Sequence, residues 1–542
     1  MQVVGPAFFP DTWLSAMEAK VIFSSHLIGH RCKNQYPPRP WAWNRQEGSA
    51  SICFKAISYY GCSGHEQHQK RTPVTGKLKL FITKPKKSSS MQLREESIEA
   101  SDKKGTVLGA VSLIIGTSIG SGILALPKRT SPAGFVPSAV SIIVCWIFLL
   151  VEALLLAEIN VGLMRRRREK GREQGDPGVI SIRTMAQETL GEWGGTLATV
   201  SYIFLAYTSM VAYTSKSGEI LYHLINLPTT ISGIFFTSLF TILISIGGTQ
   251  ATDQVNQWLT SSMIGLLVAI EVLAVLSGGW SGLEASGNWG KVPSTIPVII
   301  FSLVYHDLAP VICAYLDGDL TRIRVSFILG SLVPLFSLLI WDAIALGLST
   351  KADGVLDPVD LLIRVEWSGI SVMVEAFSLL AVGTSLIGTL LGFSQFFVEQ
   401  LNNLSWHHPS TKIHKSEGNE MSSDLKDEIM PYSLRKWWSS NKLSFTATAM
   451  AVAPPLFVSS TVPDAFYTAT DIAGGYCMTL LYGILPPAMA WVMRSSSCIG
   501  SRGEGSKQKI LYHAKPALLG VGLFACVIIL EQILQDFLVL NP

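Results

Sequence analysis

From residue 103 onward the chain is a succession of apolar blocks, each about 20 residues long, separated by short polar connectors. A helix rising ~1.5 Å per residue needs a block of that length to cross the hydrocarbon core of a bilayer. The blocks are continuously apolar and do not alternate, so they read as helices whose backbone groups are satisfied internally. A composition of 48% hydrophobic and 15% charged residues overrides the reading of 542 residues as several soluble domains. We place eleven spans, at 106–127, 136–163, 195–215, 231–247, 257–276, 294–315, 325–348, 370–398, 445–462, 473–493 and 516–538. The fold class expected is an all-α polytopic membrane protein.

Charge sets the orientation. With the N-terminal side of span 1 inside, 22 Lys/Arg fall on that face and six on the other. The run Arg165–Arg168 is then a topology anchor rather than a nucleic-acid or lipid patch, and the charge pattern implies a bilayer and no nucleic acid as partner. Eight Cys show neither paired spacing nor C-x-x-C, so neither a disulfide framework nor a metal site is expected. In the polar connector 402–442, whose role the sequence leaves open, His407, His408 and His414 lack companion Cys or carboxylates and read as a solvated loop. Ile180–Gly195 has helical apolar spacing and is expected along the inner surface. Pro454-Pro455 and Pro486-Pro487 are expected to kink spans 9 and 10.

Residues 1–100 differ in kind. Up to Ser90 they hold 13 Lys/Arg against four acids and no apolar run long enough for a secretory signal. A basic, acid-poor leader of this kind reads as an organelle transit peptide, with a disordered tail as the alternative. The expected organisation is 1–100 leader, 101–276 first transmembrane repeat (spans 1–5), 277–495 second repeat (spans 6–10), and 496–542 loop and span 11.

Span 1 is unusual inside. Its middle reads Gly116-Thr117-Ser118-Ile119-Gly120-Ser121-Gly122, and each Gly in a helix interior costs about 1 kcal/mol against Ala. Either the helix breaks at mid-membrane and lines a polar cavity, or Gly116 and Gly120 form a G-x-x-x-G packing seam. Span 6 weighs on the choice. Tyr305, His306 and Asp307 sit near its centre, followed by Pro310, which removes a backbone hydrogen bond. Two interruptions, five spans apart and therefore in opposite senses, are a pointer to a secondary transporter built from inverted repeats.

At this point a resemblance becomes specific. GTSIGSGILALP (Gly116–Pro127) resembles the first-span signature of the tryptophan/tyrosine permeases, the aromatic branch of the hydroxy/aromatic amino acid permeases. Leu190-Gly191, Gly194, Tyr202, Leu205, Tyr207, Ala212 and Tyr213 resemble that family's third-span block. Gly248-Thr249 with Asp253, Val255 and Asn256 resembles the loop before span 5. Ser302, His306, Pro310, Tyr315 and Asp319 fit its sixth-span pattern. Ile328–Ser331, Pro334, Trp341 and Leu346-Gly347 resemble span 7, and Pro454-Pro455 the ninth. Two positions depart: Asp307 stands where the family often has a small residue, and Thr384-Ser385 where a Ser-Ser pair is common.

The resemblance implies a leucine-transporter-like 5+5 inverted repeat plus an eleventh span, with spans 1 and 6 broken, and symport of aromatic amino acids with a cation, H⁺ ahead of Na⁺. Tyrosine stands ahead of tryptophan on resemblance alone. Physics distributes the roles. A substrate carboxylate would meet N–H groups at Gly120–Gly122, and the ammonium would meet carbonyls and hydroxyls around Gly116, Thr117, Ser118 and Ser302. Tyr207 and Tyr305 are candidates to line an aromatic slot, with interhelical packing as the alternative for each. His306 and Asp307 are candidates for proton coupling, since a carboxylate beside a His can move its titration across the working range. Thr384 and Ser385 could ligate a cation. Glu158 is expected in an interfacial ion pair near the Arg165 cluster, and Glu152, Glu271 and Glu375 are further intramembrane acids expected to face the bundle, any one of them an alternative proton carrier to His306 and Asp307. No catalytic residue, metal or cofactor is expected: H-E-x-x-H and an aspartate-rich span motif are both missing, which argues against an enzyme. The leader suggests an organelle membrane and does not itself separate plastid from mitochondrion; the plastid inner envelope is placed ahead of mitochondrial or plasma membrane.

Overall fold

The computed structural model describes residues 105–169, 179–276, 287–349, 368–406, 432–462, 464–497 and 515–540. The leader 1–100 and the histidines of the 402–442 connector lie outside the described residues. Ten helices within the described residues are long and apolar enough to cross a bilayer, and the bent pair Val107–Ser118 and Gly122–Thr130 makes an eleventh span. Spans 2 to 5 are Phe135–Glu169, Glu192–Ile225, Thr229–Gly248 and Gln250–Leu276. Spans 6 to 11 are Pro293–Tyr315, Leu320–Gly347, Ser371–Asn402, Lys442–Thr461, Ala465–Arg494 and Pro516–Leu538.

The helices start and stop where side-chain chemistry allows. Thr106 caps span 1, its Oγ1 accepting the Gly109 N–H at 3.0 Å. Ser181 does the same for the helix Ile182–Leu190 through the Thr184 N–H, and that helix ends at Gly191 with φ +82°. Its apolar face buries Met185 and Ala186, and Asn160 of span 2 donates to the Ile180 carbonyl at 2.9 Å. Spans 4 and 5 are separated by a break at Gly248, whose φ of +66° a side chain would strain. The segment read as a loop before span 5 is therefore helical, because Thr252 hydrogen-bonds back to the Gly248 carbonyl and starts the next helix at once.

Span 10 begins earlier than its apolar pattern predicts, at Ala465, and carries a π-helical stretch over Ala473–Ile484 directly before Pro486-Pro487. The prolines offer no N–H to the preceding turn, and the Leu485 N–H reaches back five residues to the Leu480 carbonyl. Pro454 and Pro455 are accommodated inside one helix, Tyr432–Thr461.

Span 1 is anchored at both ends. On the inner side the Gly105 N–H donates to the Tyr315 carbonyl at 3.1 Å, the Thr106 N–H to the Tyr315 hydroxyl at 3.2 Å, and Arg322 to the Gly105 carbonyl. Arg324 pairs with Glu158 at 2.6 Å, so the acid at the end of span 2 is held from span 7. On the outer side Thr130 donates to Asp342 of span 7 at 2.6 Å, Arg129 pairs with Asp471 of span 10, and Lys128 lies 3.9 Å over the Tyr467 ring.

Candidate transport site

The two halves of span 1 meet at 55° across Ile119–Ser121. Ile119 leaves the helix with φ −87° and ψ 109°. Span 6 breaks at Val304 (ψ 134°) and Tyr305 (φ −140°), passes through a 3-10 turn at His306–Leu308, and resumes as a helix at Ala309 with Pro310 in its first turn. Pro is suited to that position because first-turn N–H groups have no intrahelical acceptor.

The glycines of span 1 serve three different neighbours. A Cβ on Gly116 would lie 3.3 Å from Thr260 of span 5, one on Gly120 2.7 Å from the Ser385 Oγ of span 8, and one on Gly122 2.8 Å from the Ser302 Cα of span 6. Close packing and a broken helix are therefore the same feature, since the break turns successive glycines toward different spans. The Ser121 N–H donates to Ser385 Oγ at 3.1 Å, fixing the break to span 8. Ser118 is buried with its hydroxyl unpartnered, and Thr117 is exposed. Ser302 spends its hydroxyl on the Val298 carbonyl at 2.7 Å.

Around the span 6 break the residues diverge. Asp307 is exposed, and its carboxylate accepts the Tyr482 hydroxyl of span 10. Tyr202 and Tyr213 of span 3 lie within electrostatic reach of it. His306 turns the other way. It is fully buried, its Nε2 is 2.9 Å from the Leu149 carbonyl of span 2, and its ring stacks on Tyr482 at 5.1 Å. Tyr305 packs on Phe327 of span 7, with 2% of its surface exposed.

Tyr207 is half-buried in an aromatic cluster, 4.8 Å from the Phe393 ring of span 8, and its hydroxyl donates to the Met450 carbonyl of span 9. Tyr202 joins the same cluster through Phe396 at 5.5 Å. The Thr384 hydroxyl donates within its own helix, to the Leu380 carbonyl at 3.0 Å. Of the residues singled out in the sequence, the structure groups Gly120, Gly122, Ser302 and Ser385 at one crossing and sets Asp307 against Tyr482 of span 10. Tyr305 and His306 pack away from that crossing, against spans 7 and 2. Tyr482 and Phe393 were missed, because in an apolar span a single aromatic carries no periodic signal. Tyr202 and Tyr213 stood in the third-span block without a role assigned.

Two oppositely directed broken spans, crossing backbone to backbone, define a secondary transporter of the leucine-transporter-like fold. The solved structure of MhsT in complex with L-phenylalanine superposes with a TM-score of 0.50 at 13% identity, over 79% of this chain and 98% of that one, and shows the same fold. The sequence profile of the tryptophan/tyrosine permease family matches residues 103–414 and 425–528, and the chain belongs to that family. It is a transporter, not an enzyme. Tyrosine-specific transport system 1 of Haemophilus influenzae is 26% identical over 401 residues, 71% of this chain and 88% of that protein. The tryptophan-specific transport protein of Pseudomonas aeruginosa is 25% identical over 55% of this chain and 73% of its own length. Glutamine transporter 2 of Aliivibrio fischeri is 23% identical over 56% and 76%. Among the described residues no group of three or more His, Cys, Asp or Glu could hold a metal ion.

Proposed function

We propose that the protein is a secondary active transporter of aromatic amino acids, tyrosine ahead of tryptophan, coupled to H⁺ and working by alternating access between repeats 101–276 and 277–495. The observation that carries this reading is the crossing of the two broken spans at Gly122 and Ser302, in a chain whose relatives are tyrosine- and tryptophan-specific transporters. The substrate carboxylate is taken by the N-terminal end of the half-helix Gly122–Thr130, where N–H groups and the helix dipole favour an anion. The ammonium is met by carbonyls and hydroxyls around Gly116, Thr117, Ser118 and Ser302. The ring rests against Tyr202, beside the Tyr207 and Phe393 pair, where an apolar wall has a polar rim.

His306 and Asp307 carry the coupling in this reading, and Ser385 with Thr384 would serve a cation if Na⁺ replaced H⁺. The basic leader supports residence in an organelle membrane; in a plastid, the favoured location, the protein sits in the inner envelope with the more basic face toward the stroma. Uptake of labelled tyrosine, tryptophan and phenylalanine into proteoliposomes tests the substrate class. The glutamine-transporter relative gives the alternative its content: glutamine uptake with none of the three aromatic substrates carried would replace the aromatic reading by a same-fold carrier of another small solute.

A further inference from the structure

Glu152 lies at the middle of span 2 with none of its surface exposed, and neither of its carboxyl oxygens has a hydrogen-bond partner. The other buried acids of the described spans are held: Glu271 accepts from Ser337 at 2.7 Å, Asp342 from Thr130, and Asp471 pairs with Arg129. Three residues before Glu152 on span 2, one turn away, the Leu149 carbonyl receives the His306 Nε2 at 2.9 Å. A nitrogen on a carbonyl must carry the hydrogen, so a neutral His306 ring presents a bare Nδ1. That Nδ1 is buried and also without a partner.

The two orphans are chemically complementary. An ionised carboxyl buried alone in a span is expensive, so in this conformation Glu152 holds a proton and has a donor with no acceptor. His306 Nδ1 is an acceptor with no donor. We propose that Glu152 is the residue that carries the coupled proton, handing it to His306 Nδ1 when span 6 shifts against span 2. In the transfer the O–H bond of the acid breaks, an N–H bond forms at Nδ1, and a carboxylate remains beside an imidazolium. The proton is conserved and no other reactant is needed.

Titratable groups on the elements packed against span 2 are Tyr305, His306, Asp307, Cys313 and Tyr315 of span 6, Arg322, Arg324 and Asp342 of span 7, and Tyr467, Asp471, Tyr476, Cys477, Tyr482 and Arg494 of span 10. The helix before span 3 adds Arg183 and Glu188, and span 2 itself has Cys145 and Glu158. None of them hydrogen-bonds Glu152.

The inference rests on the proton coupling put forward above, and the experiment separates the two. Proteoliposomes containing wild type, Glu152→Gln or Glu152→Asp are assayed for tyrosine accumulation under an imposed pH gradient, for tyrosine/tyrosine exchange without one, and for proton entry with a trapped pH dye. Wild type is expected to accumulate tyrosine with proton entry. Glu152→Gln should lose both while retaining exchange, and Glu152→Asp should recover part of the driven uptake. Driven accumulation by Glu152→Gln equal to wild type overturns the assignment while leaving coupling intact. Loss of exchange in both variants makes Glu152 a structural residue and overturns it as well. A wild type indifferent to the pH gradient defeats the coupling itself, and the assignment with it.

Discussion

Gly122 and Ser302 touch backbone to backbone: a Cβ on Gly122 would lie 2.8 Å from the Ser302 Cα and 2.9 Å from its Oγ. Spans 1 and 6 therefore cross at the points where each is interrupted, and no side chain separates them. The contact needs glycine because the nearest atom, the Ser302 Cα, is main chain and cannot swing aside. The same holds at the inner end, where a Cβ on Gly105 would lie 2.3 Å from the Tyr315 carbonyl oxygen.

Gly122→Ala should consequently push the two half-helices apart, at a cost of about 1–3 kcal/mol for overpacking. Transport is expected to fall well below wild type with the protein still inserted. Gly265→Ala, a position with nothing within 4 Å, is the control and should transport normally. Side-by-side uptake, normalised to protein reconstituted, checks the pair; equal activity of both variants would mean the crossing is not tight.

Tyr482→Phe removes the hydroxyl that donates to Asp307. A hydrogen bond to a charged group contributes about 1.5–3 kcal/mol, so the KM for substrate should rise roughly tenfold or more. Tyr305→Phe should change KM little, since that ring packs on Phe327. Similar KM values for Tyr482→Phe and wild type would take Tyr482 out of the site.

The outer end of span 1 is latched by Arg129 to Asp471, half-exposed and partly buried respectively. Arg129→Gln should lower the melting temperature of the detergent-solubilised protein by leaving Asp471 without its partner, a loss of about 1 kcal/mol. Arg129→Gln with Asp471→Asn should recover part of that loss. A double variant no more stable than the sum of the singles would show that the two side chains do not interact.

The architecture was legible from the sequence wherever apolar length or a broken pattern carried it. Span number, the break at Gly116–Gly122 and the break at Tyr305–Pro310 all follow from composition against helix propensity. Orientations of single side chains were not legible. His306 and Asp307 are neighbours in sequence, yet a 3-10 turn sends one against the span 2 backbone and the other to the Tyr482 hydroxyl of span 10. Tyr207 and Tyr202 sit five residues apart on one helix, and only the first has its hydroxyl bound to span 9. The start of span 10 was missed because Ala465–Ile472 mixes Thr and Asp among its apolar residues, and tertiary contacts, not hydropathy, keep it helical.

Residues 1–100 fused to a fluorescent reporter are expected to deliver it to plastids in plant cells. Retention of the reporter in the cytosol would remove the leader from the targeting account, and import into mitochondria would relocate the transporter.

The central claim is tested most directly by reconstituting the full chain and measuring uptake of radiolabelled tyrosine under an imposed pH gradient, an imposed Na⁺ gradient, or neither. The account predicts accumulation above equilibrium with the pH gradient alone, competed by excess unlabelled tryptophan. Failure to take up tyrosine, tryptophan or phenylalanine under any gradient would contradict it.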